Sequence, residues 1–349
     1  MPIIEAIRVL TMGMIAFLVA LGITPFFVKL VDKFGLKKQI RNADAAPIYA
    51  ALHKNKEGTP TMGGVIIWVT VLALALVFWI LHNVFDGQFA FFNFVDRAQT
   101  YLPLATLAIA AIIGLVDDVF GILRIGANGG GLKVRHKIIV YTFVALIGAL
   151  WFYYRLEWDV LQIPFYQNIQ VDWWYIPIFM FIIVASAFSA NETDGLDGLA
   201  GGVMLFAFIA LTVVSFALNR YHLATFGSAM IGALLAFLWY NIYPARFFMG
   251  DTGSMSLGIT MGVIAMLTNT TLFLPFFAPI LVIESLSVIA QMISKKAFGK
   301  KLFLSTPIHH HFEALGWPET TITMRFWIIS AVISALGLAL FFLNRFVLQ

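Results

Sequence analysis

The stretch Asn241–Ser256 sets one acid, Asp251, between two glycines inside a long apolar run. Small residues let the backbone bend and let a large anionic ligand approach it closely. A carboxylate on such a turn suits a hard cation such as Mg²⁺, which usually takes one or two carboxylates together with substrate phosphates. On its own, the stretch fits a cation site and a water-facing loop equally well.

Further acids follow other apolar runs. Asp117 and Asp118 end the third run, where negative charge opposes the helix dipole, so the pair favours a cation or proton-transfer role over a solvated helix end. The loop after the fifth run holds Glu192, Asp194 and Asp197 with two glycines. Glycine-rich turns bind anions through their N–H groups, and a plain tight turn would not need so many acids.

Basic and imidazole side chains accompany these acids. Lys56 precedes a Gly-Thr-Pro turn, where it could bind phosphate at a helix N-terminus or simply anchor the chain at the membrane surface. Lys137 begins the fourth run in a similar way. Three successive histidines lie in a later loop, namely His309, His310 and His311. Their side chains cannot all point the same way. Histidine can bind a metal, transfer a proton or hydrogen-bond to phosphate. Glu284 and Gln291 lie two helical turns apart on one face, and the role of Glu284 stays open.

The amino-acid composition indicates that much of the chain is surrounded by lipid and not by water. The 349 residues are 61% hydrophobic and only 11% charged, with a net charge of +4 and a mean hydropathy of +0.90. Soluble domains are nearer about a quarter charged. With no cysteine, disulfides and thiolate metal sites are excluded. The chain is therefore predicted to be an all-α polytopic membrane protein.

About ten apolar segments are long enough to cross a bilayer as helices. They are Ile7–Val31, Met62–Phe85, Tyr101–Asp117, Ile138–Tyr154, Trp173–Ala190, Leu199–Leu218, Leu223–Tyr243, Thr252–Thr268, Leu272–Ser294 and Phe326–Leu343. The eighth and ninth are divided at Thr268–Thr271, because no charge separates them. Without internal repeats or linkers, residues 1–349 are predicted to form a single domain.

Lysine and arginine determine the expected orientation. Most of the 22 basic residues lie in alternate loops, beginning with the loop after the first segment, and the positive-inside rule places those loops in the cytoplasm. Both termini are then periplasmic, and no cleavable signal is expected at the start. The outer loop Leu156–Asp172 alternates loosely and is predicted to form a short hairpin.

Every polar cluster then falls on the cytoplasmic side. Carboxylates for Mg²⁺, lysines for phosphate and a lipid-facing scaffold indicate phosphoryl transfer between a soluble nucleotide and a lipid, which needs chiefly positioning and charge neutralisation. A secondary transporter is the alternative from another class. It would place its acids near the bilayer midplane and show inverted repeats, whereas these acids lie at segment ends.

At these residues the sequence resembles the polyprenyl-phosphate N-acetylhexosamine-1-phosphate transferases, and within them the bacterial phospho-N-acetylmuramoyl-pentapeptide transferases. The resemblance runs from about Lys54 to Ile329. Six motifs carry it in order: K-x-G-T-P-T-M-G-G, G-L-V-D-D, T-D-G-L-D-G-L-A, F-M-G-D-T-G-S, I-E-S-L-S-V-I-A-Q and P-I-H-H-H-F-E-x-x-G-W-P-E. The last motif distinguishes this group from relatives that use UDP-N-acetylglucosamine.

The resemblance implies transfer of phospho-N-acetylmuramoyl-pentapeptide from its UDP derivative to undecaprenyl phosphate, with Mg²⁺, giving lipid I and UMP. It implies catalytic and metal-binding roles for Asp251, Asp117 and Asp118, with Asp117 a candidate base for the lipid phosphate. In a second proposal for this family, an enzyme carboxylate is the covalent nucleophile, and the sequence leaves both mechanisms open. Phosphate contacts are implied for Lys56, Lys137, His309, His310 and His311. Nucleoside contacts are implied for Asn191, Asp194, Gly195, Asp197, Asn241, Phe248 and Gln291, with Phe248 stacking on uracil.

The resemblance further implies a homodimer in the lipid of the bacterial inner membrane, a periplasmic hairpin and a ninth helix that breaks and extends into the cytoplasm. No nucleic-acid partner is expected. Transfer of N-acetylglucosamine phosphate is the alternative reaction. Two positions depart from the common pattern: Gly121 replaces a frequent lysine, and Glu192 adds an acid beside the expected uracil site.

Overall fold

The apolar segments form helices, because a helix satisfies every backbone hydrogen bond within itself in a lipid environment. A computed structural model describes residues 2–35, 58–85, 87–125 and 131–348. The long helices are α1 Pro2–Phe34, α2 Gly64–Val84, α3 Tyr101–Ile122, α4 Val134–Leu150, α5 Tyr175–Thr193, α6 Leu199–Ala217, α7 Tyr221–Asn241 and α8 Gly250–Leu267. They are followed by the short α9 Leu274–Phe277, then α10 Pro279–Phe298, α11 Ile308–Ala314 and α12 Glu319–Leu348.

The predicted fold class is confirmed, since each predicted apolar segment overlaps one of these helices or, for the ninth, the pair α9 and α10. Within the described residues, eight helices are long and apolar enough to cross a membrane, and a ninth crossing results if the bent pair at residues 271–298 is one span. That pair bends by 93° where Pro279 begins α10, as the resemblance implies for the ninth helix. A count of ten crossings stays a prediction.

Helix α8 is less apolar than its neighbours because it does not face lipid. Every residue from Gly250 to Leu267 is buried except Asp251. Helices α2, α3, α5 and α6 surround it. Its many small residues, among them Ser254 and Gly258, suit a central position in which neighbouring backbones approach closely.

Two glycines on neighbouring helices make this close approach possible. A Cβ atom on Gly64 of α2 would overlap the backbone of Gly253, and one on Gly114 of α3 would overlap the carbonyl of Asp251. Small residues are the usual solution where membrane helices touch backbone to backbone. The N-terminal turn of α8 is thereby held directly against α2 and α3.

The end of the bundle opposite Gly250 carries the hairpin and both chain ends. Strand β1, Val160–Gln162, pairs antiparallel with β2, Asn168–Gln170, so the predicted hairpin is confirmed. The Phe165 N–H donates to Asn344 Oδ1 near the end of α12, and Arg8 of α1 donates to the Asn93 carbonyl oxygen at 2.6 Å. Both termini therefore lie on the side away from Asp251.

Replacing Gly64 by alanine is expected to lower the free energy of unfolding by about 1–3 kcal/mol, the usual cost of overpacking, because the added carbon meets rigid backbone. The measurement is the apparent melting temperature of the purified chain in detergent. Gly22→Ala is the matched control, since no atom lies within 4 Å of a Cβ built there. Equal shifts in the two variants would contradict close helix packing at Gly64.

Candidate active site

A lysine between two carboxylates forms the centre of the site. The Lys137 Nζ atom lies 2.9 Å from Asp117 Oδ2 and 2.6 Å from Asp251 Oδ2. These groups come from three elements: the first turn of α4, the end of α3 and the start of α8. Since each charge would be costly in apolar surroundings without a partner, the ion pairs hold the three helix ends together.

A cavity opens beside this ion pair. Its lining includes the polar side chains Asp117, Lys137, Tyr141 and Asp251 together with the apolar side chains Ile113, Leu132, Val140 and Met255. Charged and apolar side chains therefore lie next to each other at this point of the bundle. Tyr141 was not among the predicted site residues; its position four residues after Lys137, on the same helical face, is the signal that could have identified it.

Asp118 faces away from this cavity, toward the start of α8. The Asp251 N–H donates to Asp118 Oδ1 at 3.0 Å, and the Thr252 N–H donates to Oδ2 at 2.9 Å. The Gly250 N–H donates to Asp194 Oδ2 at 3.1 Å. Acids from two other parts of the chain therefore satisfy the first N–H groups of α8, where negative charge is also favoured by the helix dipole. The predicted metal and catalytic role of Asp118 stays a prediction beside this capping role.

Asn191 orients the acid of α8. Its side-chain amide donates to Asp251 Oδ1 and, at 3.2 Å, to Ser254 Oγ. Asp251 thus has one oxygen on Lys137 and the other on Asn191. These two neighbours therefore fix the orientation of the Asp251 carboxylate. The nucleoside contact that the resemblance implies for Asn191 stays a prediction.

The segment between α7 and α8 is braced by two other predicted nucleoside residues. Asn241 accepts from the Gly198 N–H at 3.1 Å and donates to the Phe247 carbonyl oxygen at 2.8 Å. Asp197 Oδ2 accepts from the Ala245 N–H at 2.9 Å. Both side chains are buried. Their described contacts are to protein backbone, so they position this segment directly.

Phe248 lies in the same segment, with its backbone fixed on both sides. Its N–H donates to the Pro60 carbonyl oxygen and its own carbonyl oxygen accepts from Gly63, each at 2.8 Å. Its side chain is half-buried, and stacking of its ring on uracil stays a prediction. Lys56, predicted to bind phosphate, lies outside the described residues.

The successive histidines point in different directions, as predicted. His309 is buried, with Nδ1 3.0 Å from Glu284 Oε2, and its ring packs so closely on Gly195 that a Cβ there would overlap it. His310 Nδ1 lies 2.6 Å from Glu313 Oε2. His311 Nδ1 accepts from the Leu304 N–H at 3.2 Å.

The electrostatic balance at His309 favours its charged form. Burial by itself lowers the pKa of His309, but the Glu284 carboxylate, with smaller contributions from Glu313 and Glu192, outweighs burial, so the pKa is raised above its usual value. Glu284, whose role the sequence left open, is thus the partner of a buried imidazolium. The pair ties α10 to α11.

Gln291 braces the loop that leads to these histidines. Its Oε1 accepts from the N–H groups of Leu302 and Phe303 at 2.8 and 2.9 Å, and its Nε2 donates to the Phe303 carbonyl oxygen at 3.0 Å. The side chain is buried. Gln291 therefore folds this loop back onto α10, and a nucleoside contact for it stays a prediction.

The magnesium site stays a prediction, although two of its proposed ligands lie close together. No group of three or more His, Cys, Asp or Glu side chains that could hold a metal occurs among the described residues. Asp117 and Asp251 both line the cavity, and their contacts with Lys137 show that their surroundings accept positive charge. A magnesium ion commonly takes as few as one or two carboxylates when substrate phosphates complete its coordination.

Similarity to known sequences identifies the class of membrane protein to which this helical bundle, with its acid–lysine centre at one end, belongs. The sequence profile described as "Glycosyl transferase family 4" matches residues 100–269, which indicates a membrane-embedded glycosyl transferase. The signature described as "Phospho-N-acetylmuramoyl-pentapeptide-transferase signature 1" matches residues 56–67.

Three relatives named phospho-N-acetylmuramoyl-pentapeptide-transferase resemble almost the whole chain. The relative from Clostridium novyi is 38% identical over 337 residues, covering 95% of this chain and 97% of its own. Those from Chloroflexus aggregans and Anoxybacillus flavithermus are 36% and 32% identical, covering 95% and 96% of this chain and 89% and 98% of theirs. The chain belongs to the phospho-N-acetylmuramoyl-pentapeptide-transferase family.

Asp118→Asn is expected to lower the free energy of unfolding by about 1–3 kcal/mol, because its amide nitrogen cannot accept one of the two buried N–H groups of α8. Asp32→Asn is the matched control, since it makes the same change at an exposed side chain near the end of α1. Melting temperatures of both variants in detergent give the comparison. An equal or larger loss in Asp32→Asn would argue against the capping role.

The His309–Glu284 pair is expected to make stability depend on pH. A folded-state pKa raised above the unfolded value of about 6.5 gives stability that is complete below that pH and is lost as the pH rises through the higher folded value. The melting temperature of the unsubstituted chain should therefore fall as the pH is raised above about 6.5. Glu284→Gln should flatten this part of the profile, and a profile unchanged by that substitution would contradict the ion pair.

Proposed function

We propose that this protein transfers phospho-N-acetylmuramoyl-pentapeptide from its UDP derivative to undecaprenyl phosphate, forming lipid I and UMP. Membership of the family and the names of its relatives support the reaction. The carrying observation is the Lys137 ammonium held between Asp117 and Asp251 beside a cavity that is lined by charged and apolar side chains. A lipid phosphate could use the charged groups for its head and the apolar groups for its hydrocarbon chain.

Charge repulsion is the main obstacle to this reaction. Two phosphorylated substrates must meet, and fixed positive charge offsets their repulsion. Lys137 is positioned for this purpose, because its ammonium lines the cavity while both carboxylates hold it in place. We propose that the Lys137 ammonium donates a hydrogen bond to a substrate phosphate oxygen. Its contact with one of the two carboxylates would then be replaced by this contact with the substrate.

Asp117 and Asp251 then have different tasks in the proposal. Asp251 is oriented by Lys137 and Asn191, which suits an oxygen that must hold a cation in one position. Asp117 lines the same cavity and is the candidate base for a proton on the lipid phosphate. Mg²⁺ bound by these two carboxylates would stabilise the negative charge that develops on the phosphates. The alternative in which a carboxylate is the covalent nucleophile uses the same two residues.

The nucleotide is proposed to bind between the α7–α8 segment and the histidines. Phe248 has a half-buried side chain on a backbone fixed by Pro60 and Gly63, which suits stacking on uracil. His309 lies against Gly195, in the loop that also carries Asp194. These positions support the assignment together with the resemblance.

The orientation is also proposed from the lysine and arginine distribution. If those loops face the cytoplasm, the lysine centre opens where a soluble UDP-linked substrate is made available, in the inner membrane of a bacterium. The termini and the hairpin lie at the other end and would be periplasmic. A homodimer is proposed from the resemblance alone.

Asp251→Asn is expected to lower the rate of UMP formation by about 100-fold or more, since a preorganised charge at a phosphoryl-transfer site contributes on that order. The assay supplies the full chain in detergent with UDP-N-acetylmuramoyl-pentapeptide, undecaprenyl phosphate and Mg²⁺, and measures UMP. Removal of Mg²⁺ by a chelator should abolish the product. Asp159→Asn, the same change in the hairpin at the opposite end, is the matched control and should keep full activity.

The same assay separates the proposed reaction from the sister reaction. UDP-N-acetylglucosamine replaces the pentapeptide substrate in a parallel sample, and UMP should form only with the pentapeptide. Product from UDP-N-acetylglucosamine would instead assign the alternative transferase. Near-normal turnover by a folded Asp251→Asn variant would refute the role given to that carboxylate.

A further inference from the structure

The end of α10 carries four exposed lysines among large exposed apolar side chains. Lys295, Lys296, Lys300 and Lys301 lie within residues 292–302, which are all exposed except Ser294. The apolar members are Met292 at 66% exposure, Ile293 at 58%, Phe298 at 74% and Leu302 at 58%. None of the described elements covers this lysine segment, residues 292–302.

The chain is folded so that the two lysine pairs come together. Helix α10 ends at Phe298, and the chain direction reverses at the next residue, Gly299, which has a φ of +65°. The Ser294 hydroxyl then donates to the Lys300 carbonyl oxygen at 2.9 Å, and Gln291 accepts from the Leu302 N–H at 2.8 Å. The reversal is therefore fixed by side-chain hydrogen bonds, and it concentrates positive charge at one tip.

The apolar residues of the tip continue the lipid-facing surface of α10. Along this helix Ile283, Leu286 and Ile289 are also exposed at helical spacing, as expected of a face that contacts hydrocarbon. Met292 and Ile293 extend that face to the lysines. A helix with apolar side chains on one side and several lysines beside them is typical of a segment that lies at a membrane surface.

We propose that the lysine segment docks on the phospholipid bilayer at the site end of the bundle, with its lysines on anionic phospholipid head groups. Phe298 and Leu302 enter the boundary between head groups and acyl chains, while the lysine stems lie along it and keep their charges among the phosphates. The occupant is bulk anionic phospholipid, because the apolar face continues the lipid-facing surface and the charge is complementary. The proposal does not depend on the reaction assigned above.

Docking would hold the loop that approaches the histidines. Beyond Leu302, the Phe303 ring meets His311 with ring centres 5.5 Å apart, and the Leu304 N–H donates to the same imidazole. Anionic lipid at the tip thus restrains a segment that contacts α11 directly. Loss of the lysines should leave Asp117, Lys137 and Asp251 in place.

The absence of cysteine from the sequence allows a clean spectroscopic test. Phe298→Cys in the full chain is labelled with an environment-sensitive fluorophore and placed in nanodiscs of phosphatidylcholine, with or without phosphatidylglycerol. We expect a blue-shifted emission and stronger quenching by lipid-borne quenchers only when phosphatidylglycerol is present. Tyr166→Cys in the hairpin at the opposite end is the position control and should not respond.

Charge variants then test the lysines themselves. Replacing all four lysines by glutamine should weaken the dependence on phosphatidylglycerol by more than about tenfold in the lipid fraction needed, since each lysine near an anionic surface contributes separately. Replacing the same four by arginine should preserve it. A glutamine variant that responds like the unsubstituted chain would overturn the proposal.

Other outcomes identify a different occupant. If undecaprenyl phosphate in phosphatidylcholine nanodiscs alone reproduces the shift, the tip binds the lipid substrate. Energy transfer between two labelled copies in one nanodisc, without lipid quenching, would assign the tip to a second copy of the chain. Equal insertion with and without phosphatidylglycerol would remove the head-group specificity. Each of these results contradicts docking on anionic phospholipid.

Discussion

Lys137 contacts Asp117 and Asp251, and the three charges come from three different helices. In a medium that solvates ions poorly, each charge is tolerated only when an opposite charge or a hydrogen bond meets it. The C-terminal end of α3 and the N-terminal ends of α4 and α8 must therefore lie at the same height in the bundle. This constraint fixes the longitudinal register of the helices around α8 and leaves Lys137 at the edge of a cavity.

Helix α8 meets this constraint because small residues on the neighbouring helices let their backbones approach it closely. Helix α8 is enclosed by other helices, and glycines at Gly64 and Gly114 let their backbones reach it. Its first N–H groups are satisfied by Asp118 and Asp194 instead of water. Acids that look alike in the sequence are thus divided between two tasks: some cap a buried helix, and others line the cavity.

A second charged pair organises the other side of the site. The Glu284–His309 pair joins α10 to α11, and Gln291 folds the intervening loop back on α10. The histidines therefore depend on a helix that also carries the exposed lysine segment. The site is built from a rigid part around α8 and a part whose position depends on α10.

Local sequence patterns determined the helices, the hairpin, the membrane class and the residues around the site. Hydropathy and turn residues are read over short windows, and lipid imposes the same requirement on every crossing segment. The resemblance also predicted a common site for Asp251, Asp117 and Lys137, and these residues do lie in contact. The number of crossings was not determined in this way, because α8 is polar enough at its start to differ from lipid-facing helices.

Only the tertiary structure decided which polar residue does what. Asp117 and Asp118 are adjacent in sequence, yet successive helical residues point about 100° apart, so one faces the cavity and the other faces α8. Asn241 and Gln291 hold backbone segments, and Tyr141 lines the cavity although no motif marked it. Such roles depend on which distant backbone group lies within about 3 Å, a distance that no local pattern in the chain encodes.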